Sequence, residues 1–350
     1  MYPASTKARN TGQLALMIHH LAVDVPSWRI LFEDLNIAWA QHHNGQPVEL
    51  PTGGTSFAQW GLVLSEHACS AAVVELADVW RQTLATPAAL PAVQPAVDTY
   101  AGAGQLLVSL EPEITHQLVA EVTAAFHAEL QDILLITFGL AWNEFLGAHG
   151  APIGIAVKSH GRAEHLRDDV DLSRTVGWFT SKYPVALNVG DMRWAQVAAG
   201  EAALGPLVTA TREQLGGLPD NLSYGLLRYL NPEVSLDGSE PAIEFNYLGR
   251  FDAEATGLSD ELWQIDQAAM AATAAASAIP TPLGHTVEFN AALLDTGAGT
   301  GQRLSATWTW APSALSQTQI ERLNQLWFEA LTGICAHVRR SVDSTSAVGV

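Results

Sequence analysis

The sequence predicts an α/β protein with two lobes, and three observations support this prediction. Short apolar runs alternate with longer segments whose apolar residues recur every three or four positions, a pattern typical of strands mixed with helices. The chain has 350 residues, of which 48% are hydrophobic and 15% are charged, so it can bury a large core. A stretch rich in Pro, Ala and Gly at 85–104 interrupts the pattern and predicts a connector between two structured parts.

The part of the chain before the connector predicts one strand and a group of helices. Residues 13–18, QLALMI, form an apolar run that predicts a buried strand ending at two histidines. Ser27 is a candidate N-cap, because apolar residues at helical spacing follow it. Two further helical patterns cover 56–68 and 70–84.

Strands and helices alternate after the connector. Helical patterns cover 112–128 and 130–148, and a closing amphipathic helix runs from Ile320 to Ile334. Apolar or alternating runs predict strands at 105–110, 152–157, 184–189, 242–247, 285–292 and 304–310. The last strand is the clearest, because Trp308 and Trp310 alternate with threonines.

The composition also excludes several classes of function. The chain has 36 acidic residues against 17 basic ones, a formal net charge of −19, which does not favour a nucleic-acid partner. No run reaches the roughly 20 apolar residues of a membrane span, and the N-terminus has no apolar stretch typical of a secretion signal. Cys69 and Cys335 form neither a metal motif nor a disulfide framework. We therefore expect a cytoplasmic protein that contacts no membrane and binds no metal.

The first cluster of candidate functional residues is His19-His20-x-x-x-Asp24. A histidine at the end of a strand is a candidate general base, because imidazole titrates near neutral pH. Asp24 can turn back to brace a histidine ring or the backbone of the turn. Two core histidines followed by an ordinary turn aspartate are the structural alternative, which the sequence leaves open.

The second cluster is the sequence SHGR at 159–162, directly after the predicted strand 152–157. Gly161 permits a tight backbone geometry, and Arg162 and Arg174 offer planar donors for a carboxylate or a phosphate. A network of arginines and aspartates that only holds a loop explains these residues equally well.

The third cluster is EFNYLG, from Glu244 to Gly249, with SYGLLRY at 223–229 upstream of it. Asn246 and Tyr247 lie where a predicted strand ends, so an amide and a phenol could line a groove. A strand edge with a packed tyrosine is the alternative. Several well-known motifs are missing from the sequence, namely GxSxG, the P-loop, GxGxxG after a strand and HExxH.

Taken together, the clusters resemble the condensation and epimerization domains of non-ribosomal peptide synthetases. HHLAVDVPSWRILFEDL, SRTVGWFTSKYPV, SYGLLRYL and FNYLG occur in the family's order, and the last three resemble the epimerization branch. The resemblance covers about residues 12–338. It implies a chloramphenicol-acetyltransferase-like fold, in which this chain supplies mainly the C-terminal lobe. The implied division is a remainder of the N-terminal lobe at 1–84, the connector at 85–104, the C-terminal lobe at 105–340 and a tail at 341–350.

The resemblance also implies an activity. Epimerization domains are isomerases of antibiotic and secondary-metabolite biosynthesis, and they interconvert L and D centres at Cα of an aminoacyl or peptidyl thioester. A histidine and a glutamate face opposite sides of that carbon. His20 matches the histidine, and Asn246 and Tyr247 match the pair in FNYLG. Residues that match the family's supporting positions are His19, Asp24, Asp34 and Arg162.

The resemblance implies partners rather than a bound cofactor. The substrate would arrive on the phosphopantetheine arm of a peptidyl or acyl carrier protein, and the domain itself would hold no cofactor. Adjacent synthetase domains or a missing N-terminal lobe are the other partners to expect. Nucleic acid and membrane are not expected.

Three departures from the family pattern make impaired activity the expectation. Lys158 stands where the family has its glutamate, and a lysine cannot supply a carboxylate. Val25 replaces the glycine that normally follows Asp24. The two histidines lie at 19 and 20, whereas the family places them far into the domain, so we expect most of the N-terminal lobe to be absent from this chain. The alternatives are a condensation domain that uses His20 to form an amide, and a non-catalytic scaffold that docks carrier proteins.

Two geometric expectations follow from the resemblance. His20 and Lys158 should face each other across one cavity, within roughly 12 Å, because an acid and a base must both reach one carbon. Lys158→Glu should then raise inversion more than proton exchange. The alternative is that Lys158 pairs with a nearby acid such as Glu164 or Asp168.

Overall fold

The computed structural model describes residues 14–251, 280–295 and 302–348. In these residues the centre of the fold is a mixed sheet with the strand order β1-β6-β5-β4-β2-β3. The strands are β1 (Gly104–Ser109), β2 (Ile153–Ser159), β3 (Ser181–Leu187), β4 (Ile243–Phe251), β5 (Val287–Asp295) and β6 (Gln302–Trp310). Strands β2, β4 and β5 run parallel, and β1, β6 and β3 run antiparallel to their neighbours. The sheet is open, and the predicted α/β class is confirmed.

Helices pack around this sheet, and they come from the parts of the chain before and after the connector. They are α1 (Val25–His43), α2 (Phe57–Ala68), α3 (Ala71–Val74), α4 (Ala77–Leu84), α5 (Pro112–His116), α6 (Thr123–Phe126), α7 (Leu130–Leu146), α8 (Trp194–Ala199), α9 (Leu204–Gly216), α10 (Asn221–Gly225) and α11 (Gln317–Val348). Segments of π-helix, Gln117–Val122 and Leu226–Leu230, follow α5 and α10.

The main hydrophobic core lies between one face of the sheet and helices α7 and α11. Helix α7 is buried along its whole middle, residues 133–143. Its Phe138 ring lies 4.9 Å from the ring of Phe289 on β5 and 5.6 Å from that of Trp308 on β6. Trp327 of α11 contacts Phe289 from the other side at 4.9 Å. Aromatic rings from two strands and two helices therefore interlock at the centre of the protein.

A second, smaller core joins helices α2–α4 to the segment that begins at α10. Trp80 of α4 is fully buried there, and its indole nitrogen donates a hydrogen bond to Ser223 Oγ at 3.0 Å. Tyr183 of β3 packs against both cores. The edge strand β3 is thus the place where the two cores meet.

The strand predicted at 13–18 is wrong. Residues 14–19 have no regular secondary structure, and Gln13 lies outside the described residues. Met17 is exposed, and no strand among the described residues lies beside this segment to form a ladder. The helix start also differs, because Asp24 rather than Ser27 is the N-cap of α1 and accepts from the Ser27 backbone N–H at 2.8 Å.

The closing helix is longer than its apolar pattern predicts. Helix α11 continues through Val348, over most of the segment expected to be a tail. The reason lies in the sequence, which has no Gly or Pro between 341 and 348 that would end a helix.

Among residues 14–251, 280–295 and 302–348, no helix alone is both long and apolar enough to cross a membrane, although the bent pair Pro112–Phe126 and Leu130–Leu146 passes that test when its two arms are counted together.

The aromatic core predicts a large loss of stability when its central ring is removed. Phe138→Ala should lower the free energy of unfolding by about 3–5 kcal/mol, because the cavity cannot close between interlocked rings. Leu107→Ala is the control, since Leu107 is 73% exposed on the edge strand β1 and should change it by less than about 0.5 kcal/mol. Urea denaturation measures both, and equal losses in the two variants would contradict this account of the core.

Candidate functional site

A buried ion pair joins the segment that carries the two histidines to the SHGR segment. Arg162 Nη2 lies 3.1 Å from Asp24 Oδ1 and 3.2 Å from Ser27 Oγ. The side chain of Asp24 is only 3% exposed, and it also accepts hydrogen bonds from the backbone N–H groups of Ser27 and Phe179. A buried carboxylate needs such partners, so these contacts form one interdependent unit.

The same unit holds the loop that precedes β3. The Gly177 backbone N–H donates to Ser27 Oγ at 3.0 Å, and the Asp24 backbone N–H donates to the Gly177 carbonyl at 3.0 Å. Arg162 Nη1 donates to the carbonyl oxygens of Leu172 and Thr175 at 2.7 and 2.9 Å. Arg162 therefore holds the loop in addition to pairing with Asp24, as the structural alternative for this cluster predicts.

Gly161 is required by a close approach of two backbone segments. It has a φ of +63°, and a Cβ atom at this position would lie 1.7 Å from the Phe179 carbonyl oxygen. Arg162, the next residue, places its guanidinium 4.0 Å from the centre of the Phe179 ring. A side chain at 161 would push these two segments apart.

His20 lies at the surface, next to this unit. Its ring stacks on Trp178, with 4.7 Å between ring centres, and its Nδ1 lies 2.6 Å from the Val23 carbonyl oxygen. A carbonyl oxygen can only accept, so Nδ1 carries the proton and a neutral ring keeps its lone pair on Nε2. His19 has a different role, because its Nδ1 accepts from the Leu21 backbone N–H at 3.1 Å and caps the turn.

Asp34 supports the loop rather than the histidines. It lies on α1 and forms an ion pair with Arg174, which also contacts Glu33 at 3.1 Å. Arg174 therefore ties the loop between β2 and β3 to the first helix.

Lys158 pairs with an acid other than the expected Glu164 or Asp168. Its Nζ lies 2.8 Å from Oε1 of Glu244 on the neighbouring parallel strand β4. The expected alternative partner Glu164 instead accepts a hydrogen bond from the Leu172 backbone N–H at 2.5 Å. Lys158 does pair with an acid, as the alternative expected, but the residue is Glu244, because the parallel β2–β4 pairing brings it close.

Glu244 is almost completely buried and is held from two sides. Its Oε2 lies 3.1 Å from His285 Nε2, and His285 Nδ1 lies 2.7 Å from the Pro241 carbonyl oxygen. Burial by itself raises the pKa of Glu244, but the hydrogen bond from His285 and the positive charge of Lys158 lower the pKa to about 2. Glu244 is therefore an anion at neutral pH and a weak base.

One face of the sheet carries polar side chains. Side chains alternate along a strand, so Lys158 on β2, Glu244 and Asn246 on β4, and Asn290 on β5 share the face opposite the main core. Asn246 Nδ2 donates to Asn290 Oδ1 at 2.8 Å. We call this surface the polar face of the sheet.

Tyr247 lies on the other face of β4. It pairs with Ala291, packs against the main core, and its burial raises the pKa of the phenol to about 12. The FNYLG sequence also lies inside β4, which continues to Phe251, and not at a strand end as predicted. Asn246 and Tyr247 therefore do not face the same space.

Sequence reasoning assigns no role to Glu244 and His285. A signal for Glu244 is present, because it is two residues before Asn246 in a predicted strand and must share its face. His285 gives no such signal, since its contact with Glu244 depends on the pairing of β4 with β5. Within the described part of the chain, no group of three or more His, Cys, Asp and Glu side chains is arranged to bind a metal ion.

Residues 4–348 match the condensation domain family. The chain belongs to the condensation domain family. The resemblance inferred from the HH, SHGR and FNYLG clusters is confirmed at this level, and it extends over nearly the whole sequence.

The condensation-family chain is similar to parts of much longer peptide synthetases. It is 32% identical over 347 residues to bacitracin synthase 2 of Bacillus licheniformis, a match that covers 97% of this chain and 12% of that protein. It is 32% identical over 342 residues to tyrocidine synthase 1 of Brevibacillus parabrevis, which covers 95% of this chain and 30% of that protein. The chain therefore spans only a small part of these relatives.

Solved structures show the same fold. The epimerization domain from the third module of tyrocidine synthetase B superimposes with a TM-score of 0.71 and 28% identity, over 92% of this chain and 68% of that one. The first condensation domain of the CDA synthetase superimposes with a TM-score of 0.60 and 15% identity, over 91% of this chain and 63% of that one. The condensation-domain fold that the resemblance implied is confirmed.

The buried ion pair predicts a strong effect of Asp24→Asn on stability. The change leaves the Arg162 guanidinium without its anion and should lower the free energy of unfolding by about 3–5 kcal/mol. Asp78→Asn is the matched control, because the pair between Asp78 and Arg81 is exposed and should contribute at most about 1 kcal/mol. Urea denaturation measures both, and a small effect of Asp24→Asn would contradict the role given to this pair.

The low pKa of Glu244 predicts a defined pH dependence. The folded-state pKa of about 2 lies below the ordinary value of 4.5, so the unfolded chain binds a proton in this interval that the folded chain does not bind. The stabilisation by Glu244 is therefore present above the ordinary pKa and is lost as the pH falls towards 2. Glu244→Gln should flatten the slope of unfolding free energy against pH in this window, whereas the exposed Glu75→Gln should keep the wild-type slope. Identical slopes in the two variants would contradict the assignment.

Proposed function

We propose that this chain is an epimerization-type domain of a non-ribosomal peptide synthetase. Its substrate would be an aminoacyl or peptidyl thioester on the phosphopantetheine arm of a carrier protein. The similarity to the tyrocidine epimerization domain, at 28% identity and a TM-score of 0.71, supports the branch. The observation that carries the proposal is the Asp24–Arg162 ion pair, which ties the turn bearing His20 to the segment that follows Lys158 on β2.

His20 is the proposed base. The Val23 carbonyl oxygen holds Nδ1 in its protonated form, so Nε2 is the atom that removes the Cα proton of the thioester. Stacking on Trp178 keeps the ring in one orientation. The imidazolium formed in this step exchanges its proton with solvent and returns a proton to Cα, which gives exchange at the face that His20 contacts.

Inversion needs a second group on the opposite face of Cα, and Lys158 limits that step. The family's glutamate is replaced by an ammonium group that is paired with Glu244. A protonated amine cannot remove a proton, so we propose an impaired epimerase in which proton exchange is faster than inversion.

The division of the chain is part of the proposal. Residues 1–84 are assigned to the N-terminal lobe and residues 105–340 to the C-terminal lobe, with 85–104 as the connector between them. The buried residues of the main core all lie between 110 and 338, which supports the second assignment. The smaller core joins helices α2–α4 of the first part to residues 163–236 of the second. The proposed partners are a carrier protein and the neighbouring synthetase domains.

Lys158 is also the observation that favours two other candidates. A condensation domain needs no carboxylate at this position, and it would use His20 to assist amide formation. A scaffold that only docks carrier proteins would need neither residue. Both candidates share the fold and differ in the product that they leave on the carrier.

Deuterium exchange tests the proposal. A carrier protein loaded with an L-aminoacyl thioester is incubated with the wild-type chain in deuterated buffer, and deuterium at Cα is followed by mass spectrometry. Wild type should incorporate deuterium, and His20→Ala should slow incorporation by at least about 10²-fold because the base is lost. His43→Ala is the matched control and should stay close to wild type, because His43 is exposed at the last residue of α1.

Three results would contradict the proposal. Equal exchange in wild type and His20→Ala would remove His20 as the base. Amide formation with a second loaded carrier, without exchange, would favour the condensation function. Binding of the carrier with neither reaction would favour the scaffold.

A further inference from the structure

Lys158 belongs to a compact group of charged side chains. Glu244 contacts both Lys158 and His285, at 2.8 and 3.1 Å. Lys182, which is opposite Lys158 on β3, forms an ion pair with Glu240, and its Nζ lies 3.2 Å from His285 Nε2. Glu244 and Glu240 are the anions of the group, and each of the two lysines has one of them as its partner.

The Lys158–Glu244 pair is asymmetric. The Glu244 side chain is 3% exposed, whereas that of Lys158 is 29% exposed. The Glu244 carboxylate is therefore the buried, fixed partner of the pair, and the Lys158 ammonium is the partner that reaches solvent-accessible space. An ammonium has three donors, so the ion pair with Glu244 leaves donors for another acceptor.

The neighbouring carboxylate is already committed elsewhere. Glu288 is next to Glu244 on the parallel strand β5, but it accepts hydrogen bonds from the Tyr100 hydroxyl at 2.8 Å and from the Gly284 backbone N–H at 3.0 Å. Glu244 is therefore the acid that anchors Lys158.

We infer that Lys158 is a catalytic cation that stabilises the enolate formed during Cα proton exchange, and that Glu244 and His285 are its positioning residues. The inference rests on the proposed function and deepens it. A fixed positive charge next to a developing oxyanion lowers the barrier for its formation. The replacement of the family's glutamate thus changes the role of position 158 from a base to an electrostatic stabiliser.

The step balances with the groups already named. His20 Nε2 takes the Cα proton, the C–H electron pair becomes the π bond between Cα and the thioester carbon, and the carbonyl π electrons move to the oxygen. Lys158 donates a hydrogen bond to that oxygen without losing its proton. When the enolate collapses, His20 returns a proton or a solvent deuteron to the same face. No oxidant, reductant or further reactant is needed.

The anchor also changes what Lys158→Glu can do. A carboxylate at 158 would stand against Glu244, where Lys158 now forms a 2.8 Å contact, and the two negative charges would repel each other. The single change should therefore lose stability and restore little inversion.

Deuterium exchange on the loaded carrier protein separates the catalytic role from a structural one. Lys158→Met keeps the length of the side chain and removes its charge, and it should lower kcat for exchange by about 10²-fold with little change in KM. Lys158→Arg keeps the charge and should retain more activity than Lys158→Met. The split between kcat and KM is the readout that a merely structural role would not produce.

A double-mutant cycle tests the positioning role of Glu244. Glu244→Gln should lower kcat, but Lys158→Met with Glu244→Gln should be no slower than Lys158→Met alone, because Glu244 acts through Lys158. The double variant also avoids an unpaired buried carboxylate, so it stays informative if Lys158→Met alone does not fold.

The outcomes separate this inference from the proposed function. Absence of exchange in wild type would overturn the proposed function and this inference with it. Exchange in wild type that persists unchanged both in Lys158→Met and in the double variant would overturn the inference alone. Loss of exchange in both variants, with retained carrier binding, supports it.

Discussion

The buried ion pair between Asp24 and Arg162 is the contact on which the candidate site depends. It connects residues 138 positions apart in the chain. A charge inside a protein is tolerated when it is paired and hydrogen-bonded, so Asp24 recruits the backbone of the loop before β3 as well as the guanidinium. The histidine turn, this loop and the end of β2 therefore have one relative arrangement. The chemistry proposed for His20 and Lys158 is possible only if that arrangement is kept.

Features with a strong local pattern could be predicted from the sequence. β6 follows from the alternation of Trp308 and Trp310 with threonines, and α7 follows from its length and apolarity. The strand predicted at 13–18 was wrong, because a short apolar run becomes a strand only if another strand pairs with it. The partner of Lys158 could not be predicted for a related reason, since parallel strands bring together residues that are far apart in sequence. A single sequence shows which residues of a strand share a face, but it does not show the order of the strands in the sheet.

The Lys158–Glu244 pair shows how a lysine on the polar face of the sheet is compensated by a neighbouring strand. A lysine beside neutral or basic groups would be an uncompensated charge, but β4 supplies a carboxylate at the position where the ammonium needs it. His285 completes the other side of that carboxylate. The chemical consequence of Lys158 therefore has to be judged for the pair and not for Lys158 alone.

The central claim is that His20 and Lys158 act on one substrate carbon. The most direct measurement is a crystal structure of the chain with a non-hydrolysable aminoacyl-pantetheine mimic. We expect Cα to lie between the two side chains, which would then be within roughly 12 Å of each other. His20 Nε2 should lie about 3 Å from Cα, and the Lys158 ammonium should contact the carbonyl oxygen. A mimic bound with its carbonyl oxygen away from Lys158, or with His20 and Lys158 on separate surfaces, would contradict the account.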